Sequence, residues 1–176
     1  MNGYLSPDQL GRELRTGSGP FLKRRRNILG LSLFSSAVLG GIALYQMGIL
    51  KKLPEPRWRG FNAEKIHGSA QAYSLLAIPD AVLGLASYAV TACLAGRGSE
   101  NRWRTHPSMP ICMGIKLFAD AAFAGKLTVD ECRKFRALSL WSLLVGGAAL
   151  TALPLAIPEA KAALRQFMRG QDSSVQ

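Results

Sequence analysis

The sequence predicts an all-α fold: an integral-membrane four-helix bundle with short interfacial helices. Three observations predict it. The chain has 176 residues and a net charge of +11, yet 48% of it is apolar. From Asn27 to Leu50 there are 24 consecutive residues without a charge, enough for a helix to cross a bilayer. Cutting the chain at its charges leaves three further apolar segments of about that length. A bilayer cannot solvate unpaired backbone groups, so such segments must be helices.

The four spans follow in order. The first is Asn27 to Leu50. The second lies between Lys65 and Arg97, with Asp80 as its only charge. The third lies between Arg104 and Lys126, interrupted by Lys116 and Asp120. The fourth runs from Ala137 to Ile157. Residues 1–26 form an N-terminal cytoplasmic segment, 27–157 the transmembrane domain, and 158–176 a cytoplasmic amphipathic helix and tail.

Basic residues set the orientation. Lys23, Arg24, Arg25 and Arg26 immediately precede the first span and should stay in the cytoplasm. Four spans then return the C-terminus to the same side, in the plasma (inner) membrane. The inner segments carry twelve Lys and Arg and the outer segments nine, Arg57 and Arg59 among them. The bias has the right sign and is shallow. The apolar run is too long for a signal-peptide core and reads as a retained signal-anchor. Basic charge split between two membrane faces argues against nucleic acid as a partner and for the lipid bilayer.

Shorter helices border the spans. Ser6 and Pro7 are an N-cap and first-turn proline, opening a helix through Leu14. Asn62 caps a short helix from Ala63 to Ile66. Thr128 and Glu131 match a capping box, predicting a helix that starts there and runs into the fourth span. Pro158 restarts a helix whose apolar face includes Ala160, Leu164, Phe167 and Met168, with Gly170 as its stop. Trp58 and Trp141 suit the outer interface, and Trp103 the inner one.

Ionisable residues within a membrane are costly and therefore informative. Lys116 and Asp120 are one helical turn apart and can pair. Asp80 follows Pro79, which frees a carbonyl and bends the second span. Asp80, Asp120, Ser139 and Ser142 fall at similar depth in the outer half. They form either a polar pocket open to the outer face or a set of local structural contacts. Cys93, Cys112 and Cys132 show no C-x-x-C spacing, and His67 and His106 fall on opposite sides, so no metal site is expected. Gly40, Gly41, Ala121 and Gly125 permit close helix contacts.

Three stretches then carry a family resemblance. Ser69 to Gly84 contains a Ser- and Tyr-rich turn leading to Ile78-Pro79-Asp80-Ala81-Val82-Leu83-Gly84. Gly84 to Val90 continues that helix. Arg136-Ala137-Leu138-Ser139-Leu140-Trp141-Ser142-Leu143 is similar to a fourth-helix start of the form Cys-x-Trp-Cys-Leu, with serine at both cysteine positions. Together, over roughly residues 27 to 157, these resemble the vitamin K epoxide reductase family of integral-membrane quinone reductases.

The resemblance implies a quinone, menaquinone or ubiquinone, in a pocket lined by Asp80, Asp120, Ser139, Trp141 and Ser142. In the family, the C-x-x-C passes electrons to the quinone, and a cysteine pair in the first outer loop relays them from a thiol protein. Here Ser139 and Ser142 hold the first pair's positions, and the loop from Lys51 to Ala72 has no cysteine. Hydroxyls do not perform thiol–disulfide exchange. Gly146 stands where some members carry tyrosine. Three functions fit: a member that keeps a quinone-sized pocket without the thiol relay, an active oxidoreductase using non-standard residues such as Cys132, and a non-catalytic subunit with a membrane or periplasmic protein partner. Enzyme status stays open.

Overall fold

The computed structural model describes residues 6–56, 58, 60–73 and 77–172, the last three by backbone alone. Arg57, Arg59 and the Ser74, Leu75 and Leu76 part of the resembling turn lie outside the described residues. Among the described residues the fold is all-α. Its helices are α1 (Pro7–Thr16), α2 (Leu22–Gln46), α3 (Ala63–His67), α4 (Asp80–Gly96), α5 (Arg102–Thr105), α6 (Ser108–Phe135) and α7 (Leu140–Asp172), with a 3-10 turn at Ala70–Tyr73. The four long helices run up, down, up and down. α2 packs along α4 and α7, and α6 along α7, whereas α4 and α6 meet over a much shorter seam. By length and composition, α2 and α7 are long and apolar enough to cross a membrane, and α4 is a shorter apolar helix.

α2 shows how the bundle is organised. Leu22, Arg25, Ile28, Ser32, Ser35, Leu39, Ile42 and Gln46 are buried. Their spacing of three and four residues makes one stripe. Its two polar ends close the two ends of the antiparallel α4. Arg25 donates to the carbonyls of Ala95, Arg97, Gly98 and Ser99 at 2.8–3.0 Å. Ala95 and Arg97 belong to the last turn and cap of α4, where a helix leaves carbonyls without partners, and Gly98 and Ser99 follow directly. At the other end, Gln46 Nε2 donates to Asp80 Oδ1 at 2.6 Å, and Gln46 Oε1 accepts from Ala81 N–H at 3.4 Å. The basic block therefore lies inside α2 rather than before it.

Two apolar clusters fill the interior. Ile28, Ala95, Met113, Leu117, Ala152 and Ala156 bring all four long helices together near the Arg25 end. Val38, Leu39, Ile42, Ala81 and Tyr88 pack nearer the Gln46 end, with Trp141 and Val145 against them. Gly41 makes room for Trp141: a Cβ there would lie 2.9 Å from the indole Cζ3.

Several local expectations hold. Ser6 Oγ accepts from Gln9 N–H, and Gln9 reaches back to Ser6, closing a capping box on α1. Asn62 Oδ1 accepts from Lys65 N–H at 2.9 Å and caps α3.

Other element boundaries differ, each for a physical reason. The first span ends at Gln46, not Leu50, where Gly48 takes a φ of 76°. The second is only the 17 residues of α4, because α3 and the 3-10 turn occupy the preceding segment. Pro79 stands at the N-cap of α4, where its missing N–H costs nothing, so it does not bend a span. The capping box at Thr128 is absent. Thr128 lies inside α6, its hydroxyl donating to the Ala124 carbonyl, and α6 stops only where Arg136 adopts the left-handed region (φ 50°, ψ 34°). Nor does Pro158 restart a helix or Gly170 stop one. α7 runs unbroken through Pro154 and Pro158 to Asp172. Glu159, the residue after Pro158, is held by Arg102 through two bonds of 2.7 and 3.0 Å, which keeps the backbone in register there.

Candidate functional site

The site lies at the Gln46 end and is built from the turn before α7. Glu55 fixes that turn. Its Oε2 accepts from Ala63 N–H at 2.5 Å and its Oε1 from Leu140 N–H at 2.8 Å, so one carboxylate serves the first residues of both α3 and α7. Leu138 pairs with the segment Gly60–Asn62 through two backbone bonds of 2.8 and 3.0 Å. Trp141 Nε1 donates to the Pro54 carbonyl at 3.1 Å. The loop after α2 is thereby tied to the start of α7.

Ser139 is fully buried, with 0% exposure. Its Oγ lies 3.0 Å from His67 Nε2. Ser142 Oγ donates to Glu131 Oε1 at 2.6 Å, and Ser139 N–H donates to Glu131 Oε2 at 3.4 Å. The two serines thus meet an imidazole from α3 and a carboxyl from α6. His67 lies outside the spans, and burial lowers its pKa while Asp80 and Glu55 pull weakly the other way. Glu131 lies beyond the apolar part of α6, and burial raises its pKa, opposed by the bonds from Ser142 and Ser139.

A cavity of about 530 Å³ opens between α4 and α6, reaching α2, α3 and α7. Its walls are mainly apolar, with Leu39, Ile42, Tyr88, Phe123 and Leu127 prominent. Two sets of its polar groups are bonded among themselves or to each other's neighbours: His67, Asp80, Glu131 and Ser142 at one level, Asp120 and Ser87 at another, while Lys126, Asp130 and Lys134 of α6 also line it. Asp120 Oδ2 pairs with Lys116 Nζ at 2.5 Å, as the spacing predicts, and its Oδ1 accepts from Ser87 Oγ at 3.2 Å. Lys116 also donates to Ser87 at 2.7 Å and stands over the Tyr88 ring. Asp120 and Glu131 share a face of α6 but lie eleven residues apart, about 16 Å along the axis. The two sets therefore sit at different depths, and the expectation of one common depth is corrected.

Of the five expected pocket residues, Asp80, Asp120 and Ser142 line this cavity. Ser139 lies behind its wall against His67. Trp141 turns toward Gly41 and Pro54. The sequence reading missed His67, Glu131 and Gln46 as site residues. Glu131 carried a signal, its i,i+3 spacing from Thr128, but its partners come from α7 instead. Cys93, Cys112 and Cys132 are exposed free thiols, and Cys132 does not line the cavity.

These features define a class: an α-helical bundle with a largely apolar cavity, one set of whose polar groups gathers near the start of its last helix. A model of the Vitamin K epoxide reductase family matches residues 27–157. The chain belongs to that family and is membrane-embedded. Neither the curated proteins nor the solved structures gave a match.

Proposed function

We propose that this family member binds a quinone, menaquinone or ubiquinone, and lacks the thiol–disulfide relay. The observation that carries this reading is the cavity itself. Its volume, about 530 Å³, lies within the range of small-molecule sites, roughly 300–1,000 Å³. Its apolar walls suit a ring with a hydrocarbon tail, and the polar groups at its Ser142 end suit the ring oxygens. The short seam between α4 and α6 supports loading sideways from lipid, where such ligands dissolve. Asp80 and Ser142 would hold the polar end, with Asp120 deeper. Ser139 and Trp141 would support the wall behind them. A bound quinone supplies a two-electron acceptor. Here no thiol pair stands beside it: both positions are serine, and the remaining cysteines are far apart in sequence.

We further place the protein in the plasma membrane as a multi-pass chain with both termini cytoplasmic and the Ser139 end outward. Residues 1–26 and 158–176 would flank the family domain on the inner side, where Lys161, Arg165 and Arg169 favour anionic lipid. A membrane or periplasmic protein partner remains compatible with the outer loop.

The test uses the full chain in lipid nanodiscs. Titration with menaquinone and ubiquinone is expected to give saturable binding, with no quinone-dependent oxidation of dithiothreitol. No binding of either would overturn the pocket. Thiol-dependent turnover that is lost in C132S would favour the oxidoreductase reading instead.

A further inference from the structure

Glu131 has a surrounding that a structural carboxylate rarely has. It is 7% exposed and lines the cavity at its Ser139 end. Its two oxygens accept one bond each, from Ser142 Oγ and Ser139 N–H. A carboxylate has room for about four, and among the described residues no ion pair reaches it. The groups facing it come from every neighbouring element. Asp80 on α4 and Glu55 in the loop are acidic and disfavour its charge. Lys126, Asp130 and Lys134 line the cavity from its own helix, and His67 of α3 shares the wall. Burial, against the bonds from Ser142 and Ser139 and with Asp80 and Glu55 adding to it, favours the neutral acid, which has a hydrogen to give. The nearest hydroxyl, Ser142, already uses its own hydrogen on Glu131.

We propose that Glu131 is a ligand-binding acid of the cavity, donating a hydrogen bond as a neutral carboxyl to a carbonyl oxygen of a neutral amphiphile and losing that contact when it ionises. This rests on the pocket reading above and adds to it a residue and a ligand charge. Asp80 and Glu55 beside the neutral Glu131 disfavour an anionic head group at this end. It also gives serine at 142 a role that thiol chemistry would not: the hydroxyl orients the carboxyl.

The experiment is a binding titration of the full chain in nanodiscs with ubiquinone-1 as probe, from about pH 5 to about pH 9. Affinity is expected to fall with rising pH, approaching about tenfold per unit above the Glu131 pKa. E131Q, whose amide donates at every pH, is expected to bind with a flat profile, and H67Q to keep the slope. S142A removes a donor that favours the charged form, so its midpoint should move to higher pH. This variant also serves if E131Q does not fold. A flat wild-type profile, a slope that survives E131Q, or a midpoint unmoved in S142A overturns the inference while leaving the pocket. Absence of binding at every pH overturns the pocket reading and this inference with it.

Discussion

His67 Nε2 lies 3.0 Å from Ser139 Oγ, with both residues buried at the junction of α3 and α7. The contact joins α3 to the turn between α6 and α7, whose flanking helices carry Glu131 and Ser142. A charged imidazole there would lose hydration without a facing carboxylate in hydrogen-bond contact. Burial accordingly holds the His67 pKa below its usual value.

That shift predicts a pH effect on stability with a definite sign. Above the unfolded value, about 6.5, both states are neutral and the contact stabilises in full. As pH falls below it, the unfolded chain binds a proton that folded His67 resists, and stability is lost until the folded imidazole titrates. The destabilisation caused by H67Q should therefore be largest near neutral pH and shrink toward acid, measured as thermal midpoints of both proteins. Glu131 works in the opposite sense. Its raised pKa means that acidification stabilises the fold as pH drops through the folded value. E131Q should remove that gain.

The second prediction concerns the opposite end. Arg102 and Glu159 form a pair with almost no exposure, and Arg102 also donates to the carbonyls of Leu94 and Arg97. E159A leaves the guanidinium buried without its counter-charge. The expected loss is about 3–5 kcal/mol, read as a lower unfolding midpoint in denaturant. The Lys116–Asp120 pair is less buried, so D120N should cost less.

The third concerns helix contact. Gly41 lies beneath Trp141, with 2.9 Å left for any added Cβ. G41A should cost about 1–3 kcal/mol through overpacking. It should also shift tryptophan emission, because the indole must move away from Pro54. G125A, inside α6 where a Cβ meets nothing within 4 Å, is the control and should not destabilise, gaining up to about 1 kcal/mol from helix propensity.

The long helices and the Lys116–Asp120 pair are legible in the sequence because each is a periodic or local signal. So are the caps at Ser6 and Asn62. Long-range partners are not. Arg25 looks like one of four equivalent basic residues, yet its phase on the α2 stripe buries it against the end of α4. Gln46 looks like a polar interruption near the end of an apolar run, yet it caps the other end of α4. The Thr128–Glu131 spacing is that of a capping box, but helix continuation through Thr128 outweighed it and left Glu131 for Ser142 and Ser139. Proline does not break the helix at Pro158, where the Arg102–Glu159 pair and buried Ala156 and Ala163 hold α7 together. The site followed the same rule. Asp80, Asp120 and Ser142 come to one cavity, but the residues that orient its polar end are known only from tertiary contacts.

The location of a bound quinone tests the central claim most directly. A photoreactive ubiquinone analogue, cross-linked to the full chain in nanodiscs and mapped by mass spectrometry, should label the cavity walls of α4 and α6. Peptides carrying Tyr88, Phe123 and Leu127 should take up the probe, and excess unlabelled quinone should compete it away. Labelling confined to the outer, lipid-facing surfaces, or labelling that quinone does not compete, would contradict a quinone pocket in this bundle.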